Sequence, residues 1–147
     1  MLLEMINYTR VADERIRAIF EQHQVVPAKA LTLFSHILNA QHIWANRILG
    51  NTPIYGVWEE HLLVSFRGIA DDNMRLFTAI LETVDLQKEI AYGNSSGRSY
   101  VNVVQDILFH VVNHSTYHRG QIASLLKADN IVPPLTDFII LKREMQL

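Results

Sequence analysis

Residues 110–121 read HVVNHSTYHRGQ, so His110, His114 and His118 recur at every fourth position. Imidazoles spaced i, i+4 stand one above the next on a helix, where adjacent turns can chelate a single divalent cation. Neutral imidazole nitrogens suit zinc, nickel or iron at about 2.0–2.2 Å. On a helical wheel centred on His114, the three histidines share an arc with Val103, Ile107, Val111, Ile122 and Leu125, and Gln121 falls inside it. The imidazoles are thus expected in the middle of the core-facing stripe, with Asn102, Gln105, Asn113 and Lys127 on the wet side. Burying an unpaired imidazole costs on the order of 1–3 kcal/mol. Three of them need either a shared cation or a set of hydrogen-bonding partners, and spacing and facing leave both readings open.

A metal centre would need a ligand from a second element. LTLFSHILNAQHIWANRILG (31–50) offers His36 and His42, six residues apart and therefore on different sides of a helix. His42 shares its side with Ser35, Asn39 and Asn46 and is expected in solvent. His36, beside Leu33, Ala40 and Ile43, is the better placed of the two. His23, at a helix end, and His61, beside Glu59 and Glu60, are expected at the surface.

The elements that must position these groups follow from periodicity and breakers. Residues 2–22 read as an amphipathic helix, with Leu2, Ile6, Ile16, Ile19 and Phe20 inward and Asp13, Glu14, Arg15 and Arg17 outward. Pro27 precedes a second helix over 28–49, which Gly50, Asn51 and Pro53 stop. A third helix is expected from Val57 or Trp58 to Val84, with Gly68 and Asp71–Asn73 as places to bend. IAYGNSSGRSYVNV (90–103) reads as either a short hairpin or a loop. The fourth helix, about 101–128, holds the histidines, and a short helix around Asp137–Glu144 closes the chain. Four long helices predict an all-α fold, an up-down four-helix bundle with one longer connection, as a single domain over residues 1–147.

Composition narrows the function. The 147 residues are 49% hydrophobic and 19% charged, the balance of a folded domain. A net charge of −2 without a long basic block argues against a nucleic-acid binder. The absence of cysteine removes disulfides, a thiol nucleophile and thiolate metal sites. No apolar run is long enough to span a bilayer and the N-terminus lacks a signal-peptide layout, so no membrane partner and a cytoplasmic protein are expected. HSTYH lacks the glutamate of HExxH, which disfavours a zincin-type peptidase, and no phosphate-binding glycine loop is present.

NHSTYHRGQI (Asn113–Ile122) resembles the signature of the DinB/YfiT-like family of metal-dependent enzymes, which is unrelated to the polymerase of similar name. SHILNAQHIWANRILG (Ser35–Gly50) resembles the family's second-helix motif, and SGRSY and PPLTDF (Pro133–Phe138) fit its layout. The resemblance implies a DinB-type bundle, association as a homodimer, and a divalent metal held by His36, His114 and His118, with His110 as a neighbour. Where relatives carry a pair of histidines before the arginine, the first position here is Tyr117, so a phenol stands where an imidazole is usual. Three neutral histidines leave coordination positions open, the pattern of catalytic sites.

Relatives include thiol S-transferases. The expected activity is therefore a metal-dependent thiol S-transferase or hydrolase acting on a small molecule with a low-molecular-weight thiol cosubstrate. Zinc or nickel is the expected ion, with iron or manganese compatible. Gln121, Arg119 and Tyr117 are secondary candidates: Gln121 to orient a histidine, Arg119 more in keeping with a structural pair to an acid on another helix. The alternative is a non-catalytic, metal-stabilised binding or stress-response module.

Overall fold

In a computed structural model, which describes residues 1–93 and 96–147, helices dominate. They are α1 (Leu2–Gln22), α2 (Ala28–Leu49), α3 (Phe66–Thr83), α4 (Val104–Ala128) and the short α5 (Phe138–Arg143). The ends of α2 follow local chemistry. Pro27 stands at its N-cap, and at its C-terminus Gly50 adopts φ +76°. There the Gly50 N–H returns to Arg47 O and the Asn51 N–H to Asn46 O, the paired closure that a left-handed residue permits.

The third helix begins at Phe66, preceded by a single 3₁₀ turn at Leu63–Ser65, well after the start expected at residue 57 or 58. The reason lies in α2, whose polar side chains take the backbone groups of the intervening segment. Leu62, which falls inside the span expected for this helix, lies before it and is 75% exposed. Neither Gly68 nor Asp71–Asn73 interrupts α3. The ambiguous 90–103 stretch forms an antiparallel pair, β1 (Glu89–Gly93) and β2 (Ser99–Val103), with Ala91 opposite Val101 and Tyr92 opposite Tyr100. β2 takes residues 101–103 from the expected fourth helix, so the chain is not purely helical. Of the Gly/Asn/Ser cluster, Asn94 and Ser95 lie outside the described residues.

Helix α2 packs against α3 and α4, and α1 packs against the same two. Their apolar faces build two clusters. One holds Ile6, Ala45, Phe77, Leu108 and Val111. The other holds Phe20, Phe34, Phe66, Ile69 and Ile122, with the Phe34 and Phe66 rings 4.9 Å apart. Each fully buried side chain of this size contributes roughly 1.5–3 kcal/mol.

Between the clusters every long helix contributes a buried polar residue: Asp13, Gln41, Asn73, and Ser115 with Arg119. The Arg119 Nη1 donates to Asp13 Oδ1 at 2.6 Å. The Gln41 Nε2 donates to Asp13 Oδ2 at 2.7 Å and to Ser115 Oγ at 3.3 Å. The Asn73 Nδ2 donates to Leu38 O at 3.0 Å.

Two outward assignments on α1 are thereby corrected. Asp13 is 4% exposed because it faces Arg119. Arg17 is 2% exposed, its stem lying along the bundle while its head pairs with Glu14 and Glu21.

Candidate metal centre

The α4 wheel is also corrected. Its buried residues, among them Ile107, Leu108, Val111, Ser115, Arg119 and Ile122, centre on Ser115, about 100° round from His114. The histidines therefore stand at the rim of the buried face. His114 and His118 are half-buried and His110 is exposed. The expected stripe was centred on His114 and left Ser115 and Arg119 outside it, whereas each has an interior partner on another helix, Arg119 in the structural pair expected of it.

At that rim α2 brings His36, 7% exposed, against α4. One ring nitrogen from each of His36, His114 and His118 lies within 4.8 Å of the other two. His36 Nε2 and His114 Nε2 are 3.1 Å apart. Two nitrogens bound to one ion at about 2.1 Å would be roughly 3.0 Å apart in octahedral and 3.4 Å in tetrahedral geometry. The first pair already has that spacing, and His118 closes the rest by a side-chain movement on the order of 1 Å.

The partners of the rings decide which nitrogens face inward. The His36 Nδ1–H donates to Val57 O at 2.9 Å. The His118 Nδ1–H donates to Gln121 Oε1 at 2.7 Å. Both bonds leave Nε2 with a bare lone pair, the arrangement that orients ligand histidines. His114 Nδ1 has no partner among the described residues.

A purely hydrogen-bonded cluster would have one N–H, that of His114, to share between the bare nitrogens of His36 and His118. A cation accepts all three lone pairs at once, so the donor set fits the metal. Burial, and then the nearby His118, His36 and His110 rings, hold the His114 imidazolium down to about 4, so the ring is neutral at pH 7. Burial likewise lowers His36.

The segment between α2 and the 3₁₀ turn builds the outer wall. Trp58 stacks on His36, ring centroids 3.8 Å apart and planes 7° from parallel. The Asn39 Nδ2 donates to Glu59 O at 2.7 Å, and the His61 N–H donates to Ser35 Oγ at 3.1 Å. The His61 Nε2–H donates to Asn39 Oδ1 at 2.6 Å, and the Ile54 N–H donates to His42 Nε2 at 3.0 Å.

His42, expected in solvent, is thus 9% exposed, and the Ser35, Asn39 and Asn46 side is buried beneath this segment. His61 is half-buried against Tyr55, whereas His23 is exposed as expected. Sequence reasoning missed Trp58 and the Val57 carbonyl. Trp58 was visible as a large aromatic in the Pro/Gly-broken stretch NTPIYGVW, while the role of a carbonyl leaves no trace in a side-chain pattern.

An open groove of about 590 Å³ borders His118, its wall including Lys29, Trp58, Tyr117, Gln121 and Ser124. That volume is within the range of small-molecule sites. Tyr117, 65% exposed, is at the groove, with its ring 5.1 Å from that of His118. His110 packs against Trp44 and His114, with centroids 5.5 and 5.6 Å away, outside the three-nitrogen set. Arg119 is turned into the interior toward Asp13 and does not reach the histidines' open side.

Packed helices, two of which converge three imidazoles beside a groove, define a class: a helical protein whose donors suit one divalent cation. Residues 19–145 match the DinB family, and the chain belongs to it. Protein DinB of Bacillus subtilis (strain 168) is 38% identical over 53 residues, a stretch covering 36% of this chain and 31% of that relative. The matched part thus spans under a third of the relative's own length. Among the described residues no helix is long and apolar enough to cross a membrane.

Proposed function

We propose that the chain is a divalent-metal enzyme acting on a small molecule, as a thiol S-transferase or a hydrolase, with His36, His114 and His118 as the ligands. Zinc or nickel suits three imidazoles best, and iron or manganese is compatible. The observation that carries this reading is the convergence of three ring nitrogens at the edge of a groove large enough for a substrate. When bound, a divalent cation supplies a charge that favours the anion of a thiol or of water near neutral pH.

The chain's own residues do the rest. Val57 O and Trp58 fix the His36 ring, and Gln121 fixes His118 with its Nε2 facing inward. These are positioning roles. Arg119, paired with Asp13, holds α4 to α1 and takes no part in the chemistry. With no cysteine in the chain, any thiol enters as a cosubstrate. The proposal includes an up-down four-helix bundle of the DinB type, assembled as a cytoplasmic homodimer. The groove beside His118 favours an enzyme over a sealed, metal-stabilised module, the second reading.

Elemental analysis of protein purified without a metal-affinity tag tests the ligand set. About one equivalent of metal in the wild type and far less in His114→Ala is expected; equally little in both would overturn it. Loaded protein incubated with electrophiles and a panel of cellular thiols should then consume thiol faster than the metal-free protein does. Equal rates would leave the module.

A further inference from the structure

We propose, building on the site reading above, that the groove beside His118 takes a flat, ring-bearing small molecule carrying a carboxylate, the ring lying against Trp58 and Tyr117 and the carboxylate meeting Lys29. Three observations converge on this class of ligand.

The first is charge. Lys29 lines the groove, and among the described residues no carboxylate lines it with Lys29. Lys29 stands in the first turn of α2, where the helix dipole disfavours a cation, and that turn holds no acid to compensate it. Among the described residues Lys29 makes no ion pair, and Glu60 accepts from Thr32 Oγ1 at 2.6 Å. Helix stability therefore does not account for the charge, whereas an anion in the groove does.

The second is shape. Trp58 offers one face to His36 and is still 57% exposed, and Tyr117 presents a second aromatic ring on the groove wall. Leu33 and Leu125 complete an apolar lining. Two exposed aromatic rings on the wall of one groove fit a flat partner, which gains offset or edge contacts with both.

The third is the polar inventory near the histidines. The Gln121 carbonyl oxygen is engaged by His118, which leaves its amide N–H groups as donors at the groove, and the Ser124 hydroxyl donates to Gly120 O. The Gln121 amide therefore adds a donor to the Lys29 ammonium on the groove wall, which favours an anion over an organic cation.

The test is a titration of chelator-treated, metal-free protein, so that a carboxylate cannot report direct binding to an ion. In a Trp44→Phe background Trp58 is the sole tryptophan, and its fluorescence reports the groove. The probes are 2-naphthoate and its neutral isostere 2-naphthamide. Naphthoate should quench Trp58 and bind about fivefold more tightly than the amide, the value of one exposed charge contact. Lys29→Gln, an exposed position whose fold circular dichroism can verify, should bring that ratio to about one while leaving the amide's affinity unchanged. Equal binding of the two probes, a ratio that survives Lys29→Gln, or no quenching by either probe would overturn the proposal. Because no metal is present, protein that fails to load metal yet discriminates the probes defeats only the metal reading, and the converse result defeats only this one.

Discussion

Replacing Asp13 by alanine should be among the most damaging single substitutions in the chain, although the residue lies in the charged run DERIR. Its carboxylate receives Arg119 Nη1 at 2.6 Å and Gln41 Nε2 at 2.7 Å, with Arg119 2% exposed. Burial pushes the Asp13 carboxyl up against the pull of Arg119, so the pair is held at a real desolvation cost. Removing one member of a buried pair costs about 3–5 kcal/mol, because the other charge stays buried. Among the described residues Arg119 would retain Thr116 Oγ1, at 2.8 Å, as its one side-chain hydrogen-bond acceptor, beside the Tyr8 ring 5.2 Å away, with its Nε already unpartnered. Gln41 loses about 1 kcal/mol more, offset in part by its bond to Ser115. With a urea slope of about 2 kcal/mol per molar, the unfolding midpoint should fall by about 2 M. The double variant Asp13→Leu/Arg119→Met removes both charges at similar volume and should regain most of that loss. Urea unfolding followed by circular dichroism measures all of them. If Asp13→Ala lies within about 1 kcal/mol of the wild type, or the double variant is no better than the sum of the singles, the interior pair does not hold the helices as argued.

Three further outcomes follow from the site and its supports. Gln121→Ala deprives His118 Nδ1–H of its acceptor and should weaken metal binding about 10–100-fold in competition with a chromophoric chelator, while Gln121→Glu retains binding; a change under about twofold would remove Gln121 from the site. In metal-free protein His114 titrates near 4 when folded and at its ordinary 6.5 when unfolded, so below 6.5 the unfolded chain takes up a proton that the folded chain refuses. Stability should therefore drop as pH falls from about 6.5 toward 4, by up to about 3 kcal/mol, and the slope should flatten in His114→Ala; a slope unchanged by that substitution would count against the neutral, buried ring. Gly50→Ala should cost about 1 kcal/mol by thermal or urea unfolding, because φ is +76° and no atom obstructs the added methyl, so the penalty is purely conformational.

Periodicity, turn chemistry and motif spacing made much of this protein legible before folding was considered. α1 and α2 have the bounds that hydrophobic spacing, Pro27 and Gly50 imply, because those signals act within a few residues of where they occur. The i, i+4 histidines were likewise visible, since their spacing alone puts them on one helix face; His36, which meets His114 and His118, was preferred to His42 partly because the His42 side was expected in solvent, and that ground failed. What stayed hidden depended on partners distant in sequence. Asp13 and Arg119 are 106 positions apart: Arg119 is expected to pair with an acid on another helix, but which acid is not readable locally, and Asp13 reads as a surface charge until Arg119 is brought to it. The same is true of His42 and Asn39, polar residues buried because a later segment lends them its backbone N–H and C=O groups. That exchange also denied residues 57–62 the helix their sequence suggested. Local propensity fixes where a helix can begin and end; which polar groups go inside is a matter of pairing, and pairing exists only once the helices have met.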